Sequence, residues 1–126
     1  MPIVAPTRLK SPITPFKPRA LSARGVKRQI NAFVRAARLA RKAGYDGVEV
    51  MGSEGYLINQ FTTEHVNDRN DGWGGDTRKR YRIAEEIVAR TREAVGPDFI
   101  IIYRLSMLDL LPDGNRWDEV VAQAQA

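Results

Sequence analysis

The fold is decided by the stretch Asp46-Gly47-Val48-Glu49-Val50-Met51-Gly52-Ser53-Glu54-Gly55-Tyr56, which continues as Leu57-Ile58-Asn59-Gln60-Phe61. A short apolar run ends in a glycine-rich turn, and the turn delivers a single tyrosine before apolar spacing resumes. This pattern predicts a β-strand whose carboxyl end opens into a functional loop. In parallel α/β folds the chemistry collects at that end of the strands, because the loops there vary over a rigid sheet.

Helical and strand patterns alternate around this stretch. Ser22 can cap a helix over residues 22–43, and Asp76 can cap a second helix over residues 77–95. Residues 61–75 are polar and glycine-rich and predict a loop, residues 99–105 predict a buried parallel strand, and residues 117–126 have helical spacing. The inward faces of the first two helices are predicted to be Val26, Ile30, Phe33, Ala37 and Ala40, and Ala84, Ile87, Val88, Thr91 and Val95. The order is helix–strand–helix–strand–helix with two parallel strands, an α/β fold.

The amino-terminal segment, residues 1–21, differs from the rest of the chain. It holds five of the seven prolines and shows no apolar period. Proline removes amide donors and disfavours helix at the residue before it, so an extended segment is predicted. An unpacked tail is the favoured interpretation, and residues 22–126 form the folded part.

Composition narrows the classes of protein. The 126 residues are 43% hydrophobic and 28% charged, no apolar run has the length of a membrane helix, and no cysteine is present. A cytoplasmic protein without a metal site or a membrane partner is therefore expected. The net charge of +5 raises nucleic acid as a partner. The basic residues are spread over helices that also carry apolar stripes, so solvated helix faces are the preferred interpretation, for Arg80 as for its neighbours.

Two charged residues interrupt the apolar strands. Strand alternation directs Val48 and Val50 to the helix layer and Glu49 to the opposite side. Arg104 shares the parity of Ile100 and Ile102 in the second strand. A charge inside a closed sheet is costly unless it is paired, so an ion pair between Glu49 and Arg104 across adjacent strands is predicted.

Three blocks of this sequence stand out. The first is residues 43–61, the second is Asn67-Asp68-Arg69-Asn70-Asp71-Gly72-Trp73-Gly74-Gly75 with Arg78 and Arg80, and the third is residues 99–110. In this order the three blocks resemble the Old Yellow Enzyme family of flavin-dependent ene reductases. The third resembles the bacterial 2,4-dienoyl-CoA reductase branch. The resemblance covers residues 3–126 and implies part of a TIM (β/α)₈ barrel, since a whole barrel takes about 250 residues. It implies reduction of the conjugated C=C bond of an enoyl or dienoyl thioester in fatty-acid β-oxidation, with FMN as cofactor and NADPH as reductant.

The resemblance also implies roles for individual residues. Tyr56 would give a proton to the substrate carbon next to the carbonyl, and a phenol is protonated at neutral pH. Arg104 would face the N1–O2 edge of the flavin. Glu54 stands where many relatives carry His or Asn, and it would tune Tyr56 or be an exposed loop carboxylate. The second block, Asn67 to Trp73, is interpreted as loop scaffolding, and His65 receives no role.

Two other functions stay open from the sequence. One is an inactive truncated or split barrel that self-associates or pairs with the rest of a barrel, and the other is a basic nucleic-acid-binding module. The FMN phosphate site of such barrels follows strands seven and eight, and FAD and a 4Fe–4S cluster would belong to further domains of full-length relatives. On this interpretation the chain alone is expected to be inactive.

Overall fold

The computed structural model describes residues 3–12, 14–111 and 114–126. The described elements, in chain order, are β1 (Val4–Ala5), β2 (Arg19–Ala20), α1 (Ala23–Lys42), β3 (Gly47–Gly52), α2 (Leu57–Thr62), α3 (Thr77–Val95), β4 (Ile100–Leu105) and α4 (Trp117–Gln125). The predicted helix–strand–helix–strand–helix order is confirmed by α1, β3, α3, β4 and α4. The remaining elements were not predicted.

The centre of the fold is the parallel pair of β3 and β4. The register aligns Gly47 with Ile100 and Gly52 with Leu105, so both strands end at the same edge. A Cβ at Gly47 would lie 2.6 Å from the Ile100 carbonyl oxygen, and one at Gly52 would lie 2.2 Å from the Tyr103 hydroxyl. Only glycine admits this approach at either end of β3.

Alternation along the strands separates an inner from an outer face, as predicted. Val50 is buried, and Val48, Ile101 and Tyr103 pack against the core clusters under the helices. Glu49 lies on the opposite, exposed face. The helix layer therefore covers one side of the strand pair in the described part of the chain.

The helices α1 and α3 form that layer, and both begin at the predicted caps. Ser22 Oγ accepts from the Gly25 amide at 3.1 Å, and Asp76 Oδ1 accepts from the Lys79 amide at 3.0 Å. The predicted apolar faces are buried or half-buried. The main core consists of Leu21, Val26, Ile30, Val50, Ile58, Phe61, Trp73, Ile83, Ala84 and Ile87.

The amino-terminal segment is packed, so the expectation of an unpacked tail is wrong. β1 and β2 pair in parallel, with Val4 aligned to Arg19. Arg69 explains the packing, because its Nη1 donates to the Pro6 carbonyl at 2.8 Å and to the Leu21 carbonyl at 2.5 Å. Thr7 Oγ1 also donates to the Val66 carbonyl at 2.9 Å. The segment therefore rests on the loop between α2 and α3.

Two further predictions need correction. The predicted loop over residues 61–75 is entered through a short helix, α2, which the pattern did not reveal. Arg80 is not on a solvated face: its side chain is 2% exposed and its Nη2 lies 2.7 Å from Glu119 Oε1 on α4. On α4 itself Val120 is buried, whereas Trp117 and Val121 are exposed. The short carboxyl-terminal helix is therefore anchored largely by an ion pair.

Candidate active site

The candidate site lies at the carboxyl ends of β3 and β4. After Gly52 the chain turns through Ser53, Glu54 and Gly55 to Tyr56, which is the N-cap residue of α2. Glu54 has φ +62° and Gly55 has φ +73°. A non-glycine residue in the left-handed region is uncommon and strained. The Glu54 amide compensates by donating to Ser106 Oγ at 3.2 Å, which joins this turn to the loop after β4.

Tyr56 presents its phenol to solvent. The side chain is 58% exposed, and its hydroxyl makes no hydrogen bond to the part of the chain that the structure describes. The backbone is held on both sides, because the Tyr56 amide donates to the Ser53 carbonyl and its own carbonyl accepts from Gln60. A fixed backbone with an uncommitted hydroxyl suits a group that must donate to a bound molecule.

Glu54 is exposed beside Tyr56 in the sequence. The hydrogen bonds of the described residues include none between the Glu54 carboxylate and the Tyr56 phenol. The Glu54 charge instead helps to raise the pKa of Arg104, and Glu49 raises that pKa more. The predicted influence of Glu54 on Tyr56 is therefore not expressed as direct contact here and stays a prediction.

Glu49 and Arg104 form the predicted cross-strand ion pair. Arg104 Nε and Nη2 donate to Glu49 Oε1 and Oε2 at 2.8 and 3.3 Å. The side chains are 37% and 50% exposed, so in this chain the pair faces solvent. The hydrogen bond with Arg104 lowers the pKa of Glu49, and the same bond raises the pKa of Arg104.

Sequence reasoning missed the polar residues beneath Tyr56. Asn59 Oδ1 accepts from the Gly55 amide at 2.7 Å, and Gln60 Nε2 donates to the Gly55 carbonyl at 2.7 Å. Asn59 is buried, and it and Gln60 are the polar residues of the otherwise apolar run from Leu57 to Phe61. That polar residue within the apolar run after Tyr56 was the available signal, because a buried amide needs partners.

The loop after β4 supplies those partners. Asn59 Nδ2 donates to Asp109 Oδ1 at 3.4 Å, and Ser106 Oγ donates to Asn59 Oδ1 at 3.4 Å. Asp109 also accepts from Thr63 Oγ1 at 3.1 Å. The same loop exposes four apolar side chains, those of Met107, Leu108, Leu110 and Leu111. Polar contacts thus fix the base of this loop while its apolar side chains face outward.

The block from Asn67 to Trp73 is scaffolding, as predicted. Asn67 Nδ2 donates to the carbonyls of Phe61 and Trp73 at 2.6 and 2.8 Å. Arg69 forms a bidentate pair with Asp71, at 3.0 and 2.5 Å. These contacts close the loop between α2 and α3.

Other kinds of site can be stated for the described ranges. Residues 3–12, 14–111 and 114–126 contain no group of three His, Asp or Glu side chains arranged to hold a metal ion. None of the described helices combines the length and hydropathy that crossing a bilayer requires.

Comparison with known proteins identifies the family. The model of the NADH:flavin oxidoreductase / NADH oxidase family matches residues 3–126. The chain belongs to this family, that of Old Yellow Enzyme. One curated relative is a metal reductase of Desulforamulus reducens. The chain is 39% identical to it over 125 residues, which cover 99% of the chain and 19% of that protein. It is 41% identical over 98 residues to 12-oxophytodienoate reductase 2 of Arabidopsis thaliana, covering 78% of the chain and 26% of that protein.

Solved structures of Old Yellow Enzyme relatives confirm the fold class. The 2-naphthoyl-CoA reductase complex with 2-naphthoyl-CoA superposes with a TM-score of 0.91 at 37% identity, over 97% of this chain and 19% of that one. Morphinone reductase in complex with tetrahydroNAD superposes with a TM-score of 0.82 at 30% identity, over 96% of this chain and 37% of that one. These relatives are TIM barrels, so the chain is an α/β part of such a barrel. It spans about a fifth to a quarter of the curated relatives' length.

Proposed function

We propose that this chain forms part of an FMN-dependent oxidoreductase that reduces the conjugated C=C bond of an enoyl or 2,4-dienoyl thioester, with NADPH as reductant. The observation that carries the proposal is the uncommitted phenol of Tyr56 at the carboxyl end of β3, fixed by its backbone and exposed. Family membership supports flavin chemistry. The likeness to a reductase crystallised with 2-naphthoyl-CoA supports a thioester.

Arg104 fits a flavin on chemical grounds. Its Nε and Nη2 bind Glu49, and its Nη1 makes no hydrogen bond within the described ranges. The guanidinium lies on the exposed face of the strand pair and always carries its charge. It is therefore suited to the N1–O2 edge of FMN, where positive charge tunes the flavin.

The chemistry divides between the cofactor and Tyr56. When bound, reduced FMN would supply a hydride to one alkene carbon. Tyr56 Oη gives its proton to the other carbon, next to the thioester carbonyl, so that the C=C bond becomes a single bond. The phenolate that remains on Tyr56 regains a proton from water, which reaches this exposed side chain. NADPH restores the two electrons in a separate half-reaction.

The apolar residues after β4 support an acyl substrate. Met107, Leu108 and Leu110 are exposed on a loop whose base contacts the Tyr56 turn. An acyl chain would bury them, at about 25 cal/mol per Å² of apolar surface.

A cytoplasmic location, as expected from the sequence, belongs to the same proposal.

The test is Tyr56→Phe in a complete flavoenzyme that carries this segment. Reduction of the flavin by NADPH should keep its rate, and reoxidation by a 2,4-dienoyl thioester should slow by about 10²- to 10⁴-fold. Stopped-flow absorbance measures each half-reaction separately. Reoxidation at the wild-type rate would overturn the proposal.

The exposed face of β3 and β4 favours a second proposal, on assembly. Ile100 and Ile102 stand exposed beside Glu49 and Arg104 on the side opposite the helices. Unpaired strand edges and apolar faces promote further pairing. We therefore propose that the 126-residue chain self-associates or pairs with the rest of a barrel, and that it has no activity alone.

A further inference from the structure

We propose that Asn59 and Gln60 are positioning residues that clamp Gly55 and thereby fix the direction in which Tyr56 presents its phenol. This inference rests on the proposed role of Tyr56 as proton donor. It concerns two residues of α2 to which neither the sequence pattern nor the family resemblance gave a role.

The clamp acts on both peptide groups that flank Gly55. The Gly55 amide, in the peptide shared with Glu54, donates to Asn59 Oδ1 at 2.7 Å. The Gly55 carbonyl, in the peptide shared with Tyr56, accepts from Gln60 Nε2 at 2.7 Å. With both peptide planes held, the backbone leading into Tyr56 has little rotational freedom.

The turn has one hydrogen bond of its own, from the Tyr56 amide to the Ser53 carbonyl at 3.3 Å, and the clamp adds restraint at Gly55. Glu54 and Gly55 both have positive φ, and glycine at position 55 adds no side chain to restrict the backbone. Asn59 and Gln60 lie in the first turns of α2, which starts at Leu57. The rigid helix that follows Tyr56 thus reaches back and sets the loop that precedes it.

Asn59 further joins the clamp to the loop after β4. Its Oδ1 accepts from Ser106, and its Nδ2 donates to Asp109 at 3.4 Å. Ser106 Oγ in turn accepts from the Glu54 amide. Two loops at the carboxyl edge of the strand pair therefore share one buried amide. A shift of the loop after β4 would be transmitted to Tyr56 through Asn59.

Asn67 offers a matched control. Asn59 and Asn67 are each 3% exposed, and each binds backbone through its side-chain amide. Asn67 contacts Phe61 and Trp73 and does not contact the Tyr56 turn. Asn59→Leu and Asn67→Leu therefore both remove buried hydrogen bonds, and only the first releases Gly55.

The experiment compares Asn59→Leu, Gln60→Leu, Asn67→Leu and Tyr56→Phe in a complete flavoenzyme that carries this segment. Stopped-flow absorbance follows reduction by NADPH and reoxidation by a 2,4-dienoyl thioester. Hydrogen–deuterium exchange follows the Gly55 amide. Asn59→Leu and Gln60→Leu should slow reoxidation about 10- to 100-fold and leave reduction unchanged, because misplacement by about 1 Å costs about 100-fold. Asn59→Leu should also speed exchange at the Gly55 amide. Asn67→Leu should change neither the reoxidation rate nor the exchange at Gly55.

The outcomes separate the two proposals. Wild-type reoxidation in both clamp variants, with slow reoxidation in Tyr56→Phe, would overturn the clamp and leave the proton donor in place. Wild-type reoxidation in Tyr56→Phe would overturn the proposed function, and unchanged Gly55 exchange in Asn59→Leu would overturn the clamp whatever the activity. If Asn59→Leu does not fold, Gln60→Leu decides, since Gln60 is only half-buried.

Discussion

Arg80 on α3 and Glu119 on α4 form an ion pair of 2.7 Å between Nη2 and Oε1, with both side chains almost fully buried. The carboxylate also accepts from Thr77 Oγ1 at 2.5 Å, and the guanidinium donates to the carbonyls of Thr62 and Gly75. The ion pair thereby holds α4 against α3, and Val120 is the buried apolar side chain that α4 adds in the described part of the chain.

Removing one partner should be strongly destabilising. Arg80→Ala removes the nearer cation of the buried Glu119 carboxylate and leaves it Arg116 Nη2 at 3.6 Å, on an exposed side chain. We therefore expect the free energy of unfolding to fall by about 3–5 kcal/mol. Urea denaturation followed by circular dichroism measures it. Arg90→Ala, in a half-buried i,i+4 pair with Glu86, should cost only about 0.3–0.5 kcal/mol. Equal losses in the two variants would contradict the special weight given to Arg80.

Low pH should weaken the ion pair between Arg80 and Glu119. Burial works to raise the pKa of Glu119, but hydrogen bonds from Thr77 and the Arg116 amide, with the charge of Arg80, hold it below 4.5. A lowered folded-state pKa contributes stability above the unfolded value and loses it as pH falls through the folded value. Stability should therefore drop below about pH 4.5. Glu119→Gln should flatten this part of a thermal-denaturation pH series, and an unchanged slope would refute the assignment.

The Glu49–Arg104 pair should respond to its surroundings. In the 126-residue chain both side chains face solvent, so salt should screen their attraction and their coupling should be small. In a closed barrel we expect the pair to be desolvated, so that removing one partner should cost more than removing both. Double-mutant cycles with Glu49→Gln and Arg104→Met in both contexts measure this. Coupling near zero in the complete enzyme would sink the idea.

Gly52 should tolerate no side chain while Tyr103 is present. A Cβ there would lie 2.2 Å from the Tyr103 ring, whose hydroxyl accepts from Gln123 at 2.9 Å. Gly52→Ala should therefore cost about 1–3 kcal/mol through overpacking. Adding Tyr103→Leu should recover part of the loss. Additive losses in thermal denaturation would show that the ring is not the obstacle.

The chain alone should bind FMN weakly. Arg104 is the single residue to which the family resemblance gives a flavin contact. We expect no saturation of FMN fluorescence quenching at micromolar chain and a mass in solution above that of a monomer. A compact monomer that binds FMN at micromolar concentration or tighter would contradict both expectations.

The long elements were predictable because their signals are local. Ser22 and Asp76 cap the two long helices where predicted, and α3 spans Thr77–Val95 as expected. Strand parity placed Glu49 and Arg104 on one face. Each of these inferences uses residues a few positions apart, for which alternation and capping suffice.

The failures involve partners far away along the chain. Arg80 looks like the exposed arginines beside it, and its burial depends on Glu119, 39 positions later. The amino-terminal segment is packed by Arg69, 48 to 63 positions later. The helix Leu57–Thr62 has six residues, too few for a periodic signal. The contact of Asn59 with Asp109 was not predictable either, because the two residues lie 50 positions apart.

The two-sided alternation of β3 and β4 has a consequence for variation at these positions. Val50 and Tyr103 face the helices, whereas Glu49 and Arg104 face away from them. In a saturation mutagenesis library of a complete enzyme, substitutions at neighbouring positions should then affect different properties, which are measured by a screen for protein abundance and a screen for turnover. Substitutions at the helix-facing positions should lower protein abundance most, and those at the alternate positions should lower turnover more than abundance, so that the two screens together would show which residues share a face.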